Sequence, residues 1–400
     1  MGCRVATLGE LSLDNGKYGI AASAVDFDAK LPAYLRITDI NDDGTLNQLD
    51  RKSVNDANAC EYMLSEGDIV FARTGNSTGR NYYYDPRDGK FAFAGFLIKF
   101  SLDNSKVNPR FVKYYVQSKP YWNWVASFNS GSTRGNINAK TYAQMPVPLP
   151  DRSVQDSIVA LCDSISDKIR VNAKINGYLA EYLKSCAKRL YREYERDEEA
   201  DLSEGWHWTT IGEISEMVCR GITPKYNDES DELILGQTCI RNNLVLLENG
   251  RLHAPRKITE KWLKKYDLLI NSTGVGSLGR TAQVWFDPSK LVVDSHVTIV
   301  RAADPRHALY MGFWAFEHER YIESLHTGST GQTELPRDHV KAIRLVLPSD
   351  AELEKFNAVA QPAVELIVAN QKESKRLAEL RDTLLPKLMS GEIDVSSVAI

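Results

Sequence analysis

Long apolar runs are missing from this 400-residue chain. No stretch approaches the roughly 18 residues that a membrane-spanning helix needs, so no membrane partner is expected. The opening residues, Met1-Gly2-Cys3-Arg4, hold no signal-peptide core, and a cytoplasmic location is expected. Gly2 is placed for myristoylation, but Ala6 stands where that motif wants Ser or Thr. The six cysteines include no Cys-x-x-Cys pair, and the seven histidines show no zinc-ligand spacing, so neither a disulfide framework nor a metal site is expected. Excess positive charge is missing too, with 49 Lys and Arg against 53 Asp and Glu. Residues 1–150 carry 17 basic and 15 acidic side chains, and residues 205–348 carry 17 of each. A free-standing DNA binder usually displays a basic stripe. If this chain binds nucleic acid, other subunits must supply much of the phosphate attraction.

Signatures of catalysis are absent as well. There is no Asn-Pro-Pro-aromatic or Asp-Pro-Pro-Tyr motif, no phosphate-binding P-loop, no S-adenosylmethionine loop and no nuclease-like carboxylate–lysine cluster. The expectation is a chain that is not an enzyme by itself, with no catalytic residue and no cofactor of its own.

What the chain does have is a repeat. Thr7-Leu8-Gly9-Glu10-Leu11 returns as Thr210-Ile211-Gly212-Glu213-Ile214. Gly67-Asp68-Ile69-Val70, Thr74-Gly75 and Gly79-Arg80 return as Asp267-Leu268-Leu269, Thr273-Gly274 and Gly279-Arg280. Gly131-Ser132-Thr133 returns as Gly328-Ser329-Thr330. Each copy has a proline-led helix start behind a capping side chain, Asn108-Pro109 and Asp304-Pro305. Short strands are expected at 33–40, 68–73, 92–100, 146–149 and 292–301, giving mixed α/β modules.

Each module runs into an amphipathic segment with a 3–4 apolar spacing. The first seam includes Ile158, Cys162, Ile165, Ile169, Asn172, Asn176, Leu179 and Leu183, and the second Phe356, Ala360, Ile367, Asn370 and Leu377. Asn172 and Asn370 occupy the same seam position, where a buried Asn fixes register at some cost in stability. Pro362 predicts a kink or a broken start in the second helix. The expected organisation is a module over 1–150, a helix over 151–197, a second module over 205–348 and a helix over 349–392. The fold class is α/β (α+β) in two copies, separated by a long antiparallel helical coiled-coil pair with an internal pseudo-two-fold repeat.

Gly274-Val275-Gly276-Ser277-Leu278-Gly279 spells a dinucleotide-binding fingerprint, but an alternating strand pattern follows it where a helix is required. A polar hairpin loop is the better reading. Such loops let backbone amides and short hydroxyls approach phosphates or base edges. Arg73, Thr74, Ser77 and Arg80 in the first copy, and Ser272, Thr273, Ser277 and Arg280 in the second, are candidate DNA contacts. The competing reading is an ordinary hairpin whose arginine caps a turn. Thr133, Arg134 and Asn136, with Thr330 and Gln332 in the second copy, form a further candidate loop, because Arg, Asn and Gln pair bidentately with purine edges. Asp294-Ser295-His296 looks like triad material, but it falls in an expected strand and the first copy has Ala94-Gly95-Phe96 there, so catalysis is not expected of it.

Two such modules, each followed by a long helix with a matched Asn, resemble the specificity subunit of a type I restriction–modification enzyme. The closest pieces are the ending Leu380-Arg381-Asp382-Thr383-Leu384-Leu385-Pro386-Lys387-Leu388-Met389-Ser390-Gly391-Glu392-Ile393, the run from Asp294 to Arg301, and Gly205-Trp206-His207-Trp208 leading into Thr210-Ile211-Gly212-Glu213. The resemblance implies that each module is a target-recognition domain reading one half of a bipartite double-stranded DNA site. It implies that the helices set the spacer and dock two methyltransferase subunits, which would use S-adenosylmethionine to methylate adenine. Two motor-nuclease subunits, using ATP and Mg, could join them. The alternative is a non-catalytic coiled-coil adaptor presenting two protein- or ligand-binding modules.

Overall fold

The computed structural model describes residues 4–47, 50–128, 136–196, 201–254, 260–328 and 333–393. The chain divides into two compact units, Met1–Ile169 with Ser374–Ile400, and Arg170–Glu373. Each unit contains one α/β module and part of both long helices, which span Arg152–Arg196 and Asp350–Ser390.

In the first unit, a four-stranded antiparallel sheet runs in the order Lys17–Tyr18, Leu97–Ser101, Asp68–Ala72, Asn81–Tyr83. Every residue of Asp68–Ala72 is buried, because the strand divides its side chains between two cores. Ile69 and Phe71 face a core shared with the helices, while Val70 and Ala72 face a second core under Ala33–Leu35 and Phe91–Phe93. An antiparallel ribbon of Arg4–Thr7 and Pro146–Leu149 brings the module's two ends together. The second unit repeats this arrangement. Its sheet order is Ser215–Arg220, Val297–Ala302, Leu268–Asn271, Thr281–Gln283, and its ribbon pairs His207–Thr210 with Arg344–Leu347. Leu268 and Ile270 face one core and Leu269 the other, so the internal repeat is one of topology as well as of words.

Both proline-led helices begin as the sequence indicates. Asn108 Oδ1 accepts from the Arg110 amide at 2.9 Å ahead of Pro109–Tyr115, and Asp304 Oδ1 accepts from the Arg306 amide at 2.8 Å ahead of Pro305–Glu317. The two long expected strands over 92–100 and 292–301 are each interrupted. Phe91–Phe93 and Leu97–Ser101 are separated by a turn at residues 94–96, and Leu291–Val293 and Val297–Ala302 by one at residues 294–296. The cause is a close crossing of another segment. Gly19 and Gly221 pass so near these turns that a Cβ on either would lie 2.3 Å or less from a turn carbonyl. The expected strand over 33–40 likewise stops at Leu35, where a 3₁₀ turn over Ile37–Asp39 begins.

Within each unit the long helices pack antiparallel. In the first, Ile158, Val159 and Cys162 share a core with Leu385, Leu388 and Met389. In the second, Leu183, Ala187 and Tyr191 meet Leu353, Phe356, Ala360, Val364 and Ile367. Of the seam residues, Ile165, Ile367, Asn172 and Asn370 are buried, while Ile169, Leu179 and Leu377 are half-buried. The buried stripe is wider than a two-position seam near the modules, where a helix covers both its partner and the module. Asn370 donates to Asn176 Oδ1 at 2.8 Å, Asn176 to the Ile367 carbonyl at 3.3 Å, and Asn172 to Glu373 Oε2 at 2.7 Å. The broken start expected from Pro362 is not found. Pro362 lies on an exposed face within the continuous helical span, so its missing amide bond falls where water can reach the freed carbonyl.

Candidate nucleic-acid interface

Three segments meet at one end of each four-stranded sheet. In the second module they are the hairpin loop 273–280, the turn 294–296 and the strand-like segment at 334–335. The Ser272 amide donates to the His296 carbonyl at 2.9 Å, the Leu335 amide to the Ser272 carbonyl at 2.8 Å, and Thr273 bridges to Glu334. In the first module the Arg73 amide donates to the Phe96 carbonyl at 3.1 Å, the Ile137 amide to the Arg73 carbonyl at 2.9 Å, and Thr74 bridges to Asn136. One backbone frame therefore carries two different sets of side chains.

The glycines of the hairpin loops shape them. Gly274, Gly276 and Gly279 all have positive φ, and Leu268–Asn271 pairs antiparallel with Thr281–Gln283 across the loop. With a strand after it instead of a helix, the Gly-x-Gly-x-x-Gly run lacks the helix N-terminus that a dinucleotide site requires. Gly79 and Gly279 also approach neighbours closely, since a Cβ there would lie 2.6 Å from Val125 Cγ1 and 2.8 Å from the Glu323 backbone.

The candidate contacts sort unevenly. Arg73 is half-buried, with its guanidinium 5.0 Å from the Tyr18 ring centroid. Thr74 and Ser77 are half-buried on the loop, and Asn136 is exposed beside them. Arg80 turns away, its Nε donating to Asp42 Oδ1 at 2.7 Å and its Nη1 to the Ile40 carbonyl at 3.3 Å, which is the turn-capping role weighed against DNA contact. In the second module Ser272, expected as a DNA contact, does not reach the surface. It is fully buried, and its hydroxyl lies 2.6 Å from Thr298 Oγ1, so it offers no group to a ligand. Thr273 and Ser277 are half-buried at the loop surface. Arg280 has no hydrogen-bond or ion-pair partner for its guanidinium among the described residues; Asn242 stands at the place of Asp42. Thr133, Arg134, Thr330 and Gln332 lie outside the described residues.

Sequence reading missed the turns. Phe96, 58% exposed, and His296 sit at matching tips, beside the hairpin loops. The Asp294-Ser295-His296 run is a turn, not part of a strand. Asp294 Oδ1 accepts the His296 amide at 2.8 Å, and burial pushes the Asp294 carboxyl above the usual carboxylate range. Arg220 braces the turn from the next segment, donating to the Ser295 carbonyl at 3.2 Å and to Glu334 Oε1 at 2.8 Å. The signal available in the sequence was the mid-strand glycine of Ala94-Gly95-Phe96 in the first copy. Gly221→Ala is expected to displace the turn, because its Cβ would lie 2.1 Å from the Val293 carbonyl oxygen and 2.2 Å from that of Asp294. The cost expected is about 1–3 kcal/mol. Amide-exchange protection at 293–297 should fall while that at the first module's turn is unchanged.

Residues 7–181 match the family of type I restriction modification DNA specificity domains. The specificity subunit of the type I restriction enzyme MjaIX from Methanocaldococcus jannaschii is 22% identical over 307 residues, covering 72% of this chain and 70% of that one. The specificity subunit of the HindI enzyme from Haemophilus influenzae is 19% identical over 405 residues, covering 82% and 87%. The crystal structure of a type I restriction–modification S subunit from M. genitalium has the same fold, with a TM-score of 0.55 at 15% identity over 97% and 96% of the two chains. Over most of its length the chain is thus similar to specificity subunits of type I restriction–modification systems, and it shares their fold.

Proposed function

We propose that this chain reads a bipartite, asymmetric double-stranded DNA site, one half with each module, and carries no catalytic group of its own. The observation that carries this reading is the pair of matching loop frames with unlike side chains, Arg73, Phe96 and Asn136 in one and Ser272, His296 and Glu334 at the same places in the other. Each specified base pair contributes about 1–3 kcal/mol of discrimination, so a single module is only modestly selective and two together reach useful specificity. The long helices set the unspecified spacer and dock two methyltransferase subunits, which use S-adenosylmethionine to modify adenine in each half. Motor-nuclease subunits, with ATP and Mg, join that complex to cut unmodified DNA.

A row of exposed apolar side chains supports docking on the central helix. Val171, Ile175, Tyr178 and Tyr182 recur at a spacing of four, three and four residues, along one face. The near-neutral modules fit a duplex that is clamped partly by partner subunits. Action on the host DNA would place the chain in the cytoplasm. Among the described residues no helix is long and apolar enough to cross a membrane.

Co-expression with the methyltransferase, followed by mapping of methylated adenines across the host DNA, tests the reading. A split motif with two unlike halves, lost when this chain is omitted, is the expected result. A stable complex that yields no motif would count against it. Failure to form any complex would favour the adaptor alternative.

The two equivalent arginines should behave differently in that complex. Arg280→Ala is expected to weaken DNA binding uniformly across sequences and to reduce the salt slope by about one. Arg80→Ala, which removes a turn cap already engaged with Asp42, should leave the slope unchanged. Binding titrations at several salt concentrations distinguish them.

A further inference from the structure

Resting on that DNA-recognition reading, we propose that His296 reads a hydrogen-bond acceptor on one base of the second half-site, with Thr273 and Gln237 as its positioning residues. The backbone at this tip is held at several points. The Asp294 amide donates to the Leu235 carbonyl at 2.9 Å, the His296 amide to Asp294 Oδ1 at 2.8 Å, and the His296 carbonyl accepts from Ser272. The ring itself is exposed, and its Nδ1 lies 2.8 Å from Thr273 Oγ1.

The hydrogen-bond chain behind the ring sets its tautomer. Gln237 Nε2 donates to Thr273 Oγ1. Among the described residues, His296 Nδ1 is the one acceptor within reach of the threonine hydroxyl's own proton. Thr273 therefore donates to Nδ1, and the remaining ring hydrogen sits on Nε2. Nε2 has no partner among the described residues and forms an outward donor at the tip of the frame.

A donor in the major groove pairs with guanine N7 or O6, adenine N7 or thymine O4, whereas cytosine presents a donor of its own. His296 accordingly excludes cytosine at the position and strand it contacts. The first module has Phe96 at the matching tip. A phenyl ring makes no such donation and is suited to the thymine methyl group. The two modules thus differ at this position in the kind of base feature they read.

The test uses the full chain co-expressed with its methyltransferase, with adenine methylation mapped for wild type, His296→Ala, Thr273→Val and His296→Gln. His296→Ala is expected to keep the split motif but to relax one position in one half, with discrimination there falling roughly five-fold or more. Thr273→Val frees the other tautomer, whose Nε2 accepts, so cytosine should become tolerated at that same position. A purely structural role for Thr273 would not produce that change. If His296→Ala abolishes methylation, His296→Gln, which retains a donor, should restore the original base. Base preferences unchanged in both halves of the His296→Ala motif would overturn the proposal, as would a Gln variant with that position unspecified. A wild-type complex giving no motif would instead remove the underlying recognition reading, and this proposal with it.

Discussion

Asp267→Asn is expected to lower the melting temperature of the second unit by on the order of 10 °C, from a loss of about 3–5 kcal/mol. Asp267 and Arg301 are 1% and 8% exposed, and form a two-point pair with both contacts at 2.7 Å. Arg301 also donates to the Trp262 carbonyl at 2.8 Å, and Asp267 accepts the Lys264 amide at 2.8 Å. Removing the carboxylate charge leaves a guanidinium enclosed in the sheet with no counter-charge of equal proximity, which costs far more than a surface pair would. The first module supplies the control. Asp68 faces Lys99 at 3.0 Å and Ser101 Oγ at 2.6 Å, and the lysine, 14% exposed, can redirect its flexible end toward water. Asp68→Asn should therefore shift the first unit's transition by less than half as much. Calorimetry on the full chain resolves the two units. A melting temperature for Asp267→Asn within two degrees of wild type, taken as about the measurement scatter, would mean that the pair contributes no net stability.

Phe313→Ala is expected to cost the same unit about 3–5 kcal/mol. Phe313 is fully buried, with ring centroids of Trp285, Phe316 and Phe356 at 5.7, 5.4 and 6.1 Å. Since Phe356 belongs to the C-terminal helix and Trp285 to the module, truncation opens a cavity where helix and module join. Hydrogen exchange should accelerate over both 305–317 and 350–367, and Phe313→Leu should recover much of the loss. As a contrast, Val275→Ala on the hairpin tip, 89% exposed, should change stability by less than about 0.5 kcal/mol. Equal exchange rates in Phe313→Ala and wild type would show that the aromatic cluster does not fasten the helix.

Features encoded locally were legible in the sequence. The proline-led helices, the glycine-bearing hairpin loops and the 3–4 spacing of the long helices each depend on residues close together in the chain. The repeat added force because the same turn chemistry occurred twice, at Thr74-Gly75 and Thr273-Gly274. What could not be read depended on distant partners. The turn at residues 294–296 exists because Gly221 crosses it, and nothing within 292–301 announces that. Ser272 and Thr273 are adjacent and both polar, yet strand alternation sends one hydroxyl to Thr298 and the other to the surface beside His296. Arg80 and Arg280 occupy matching places, but an aspartate 38 positions upstream engages the first, while asparagine stands at its counterpart for the second. The widened stripe on the long helices has the same origin, since Ala187 and Tyr191 are buried by a module that helical periodicity alone does not describe.

The assignment of residues to the two units has a consequence for how the chain is made. The second unit is one unbroken stretch, Arg170–Glu373, whereas the first needs Ser374–Ile400 in addition to Met1–Ile169. Leu385, Leu388 and Met389 share a core with Phe111, Tyr142 and Val147. The module synthesised first is thus the one finished last: until the ribosome has translated the final helix, the apolar floor of that module stays open to solvent while a complete neighbour folds behind it. Premature termination near residue 373 would leave the later-made unit intact and the earlier one unsealed, a state prone to aggregation and a natural substrate for chaperones.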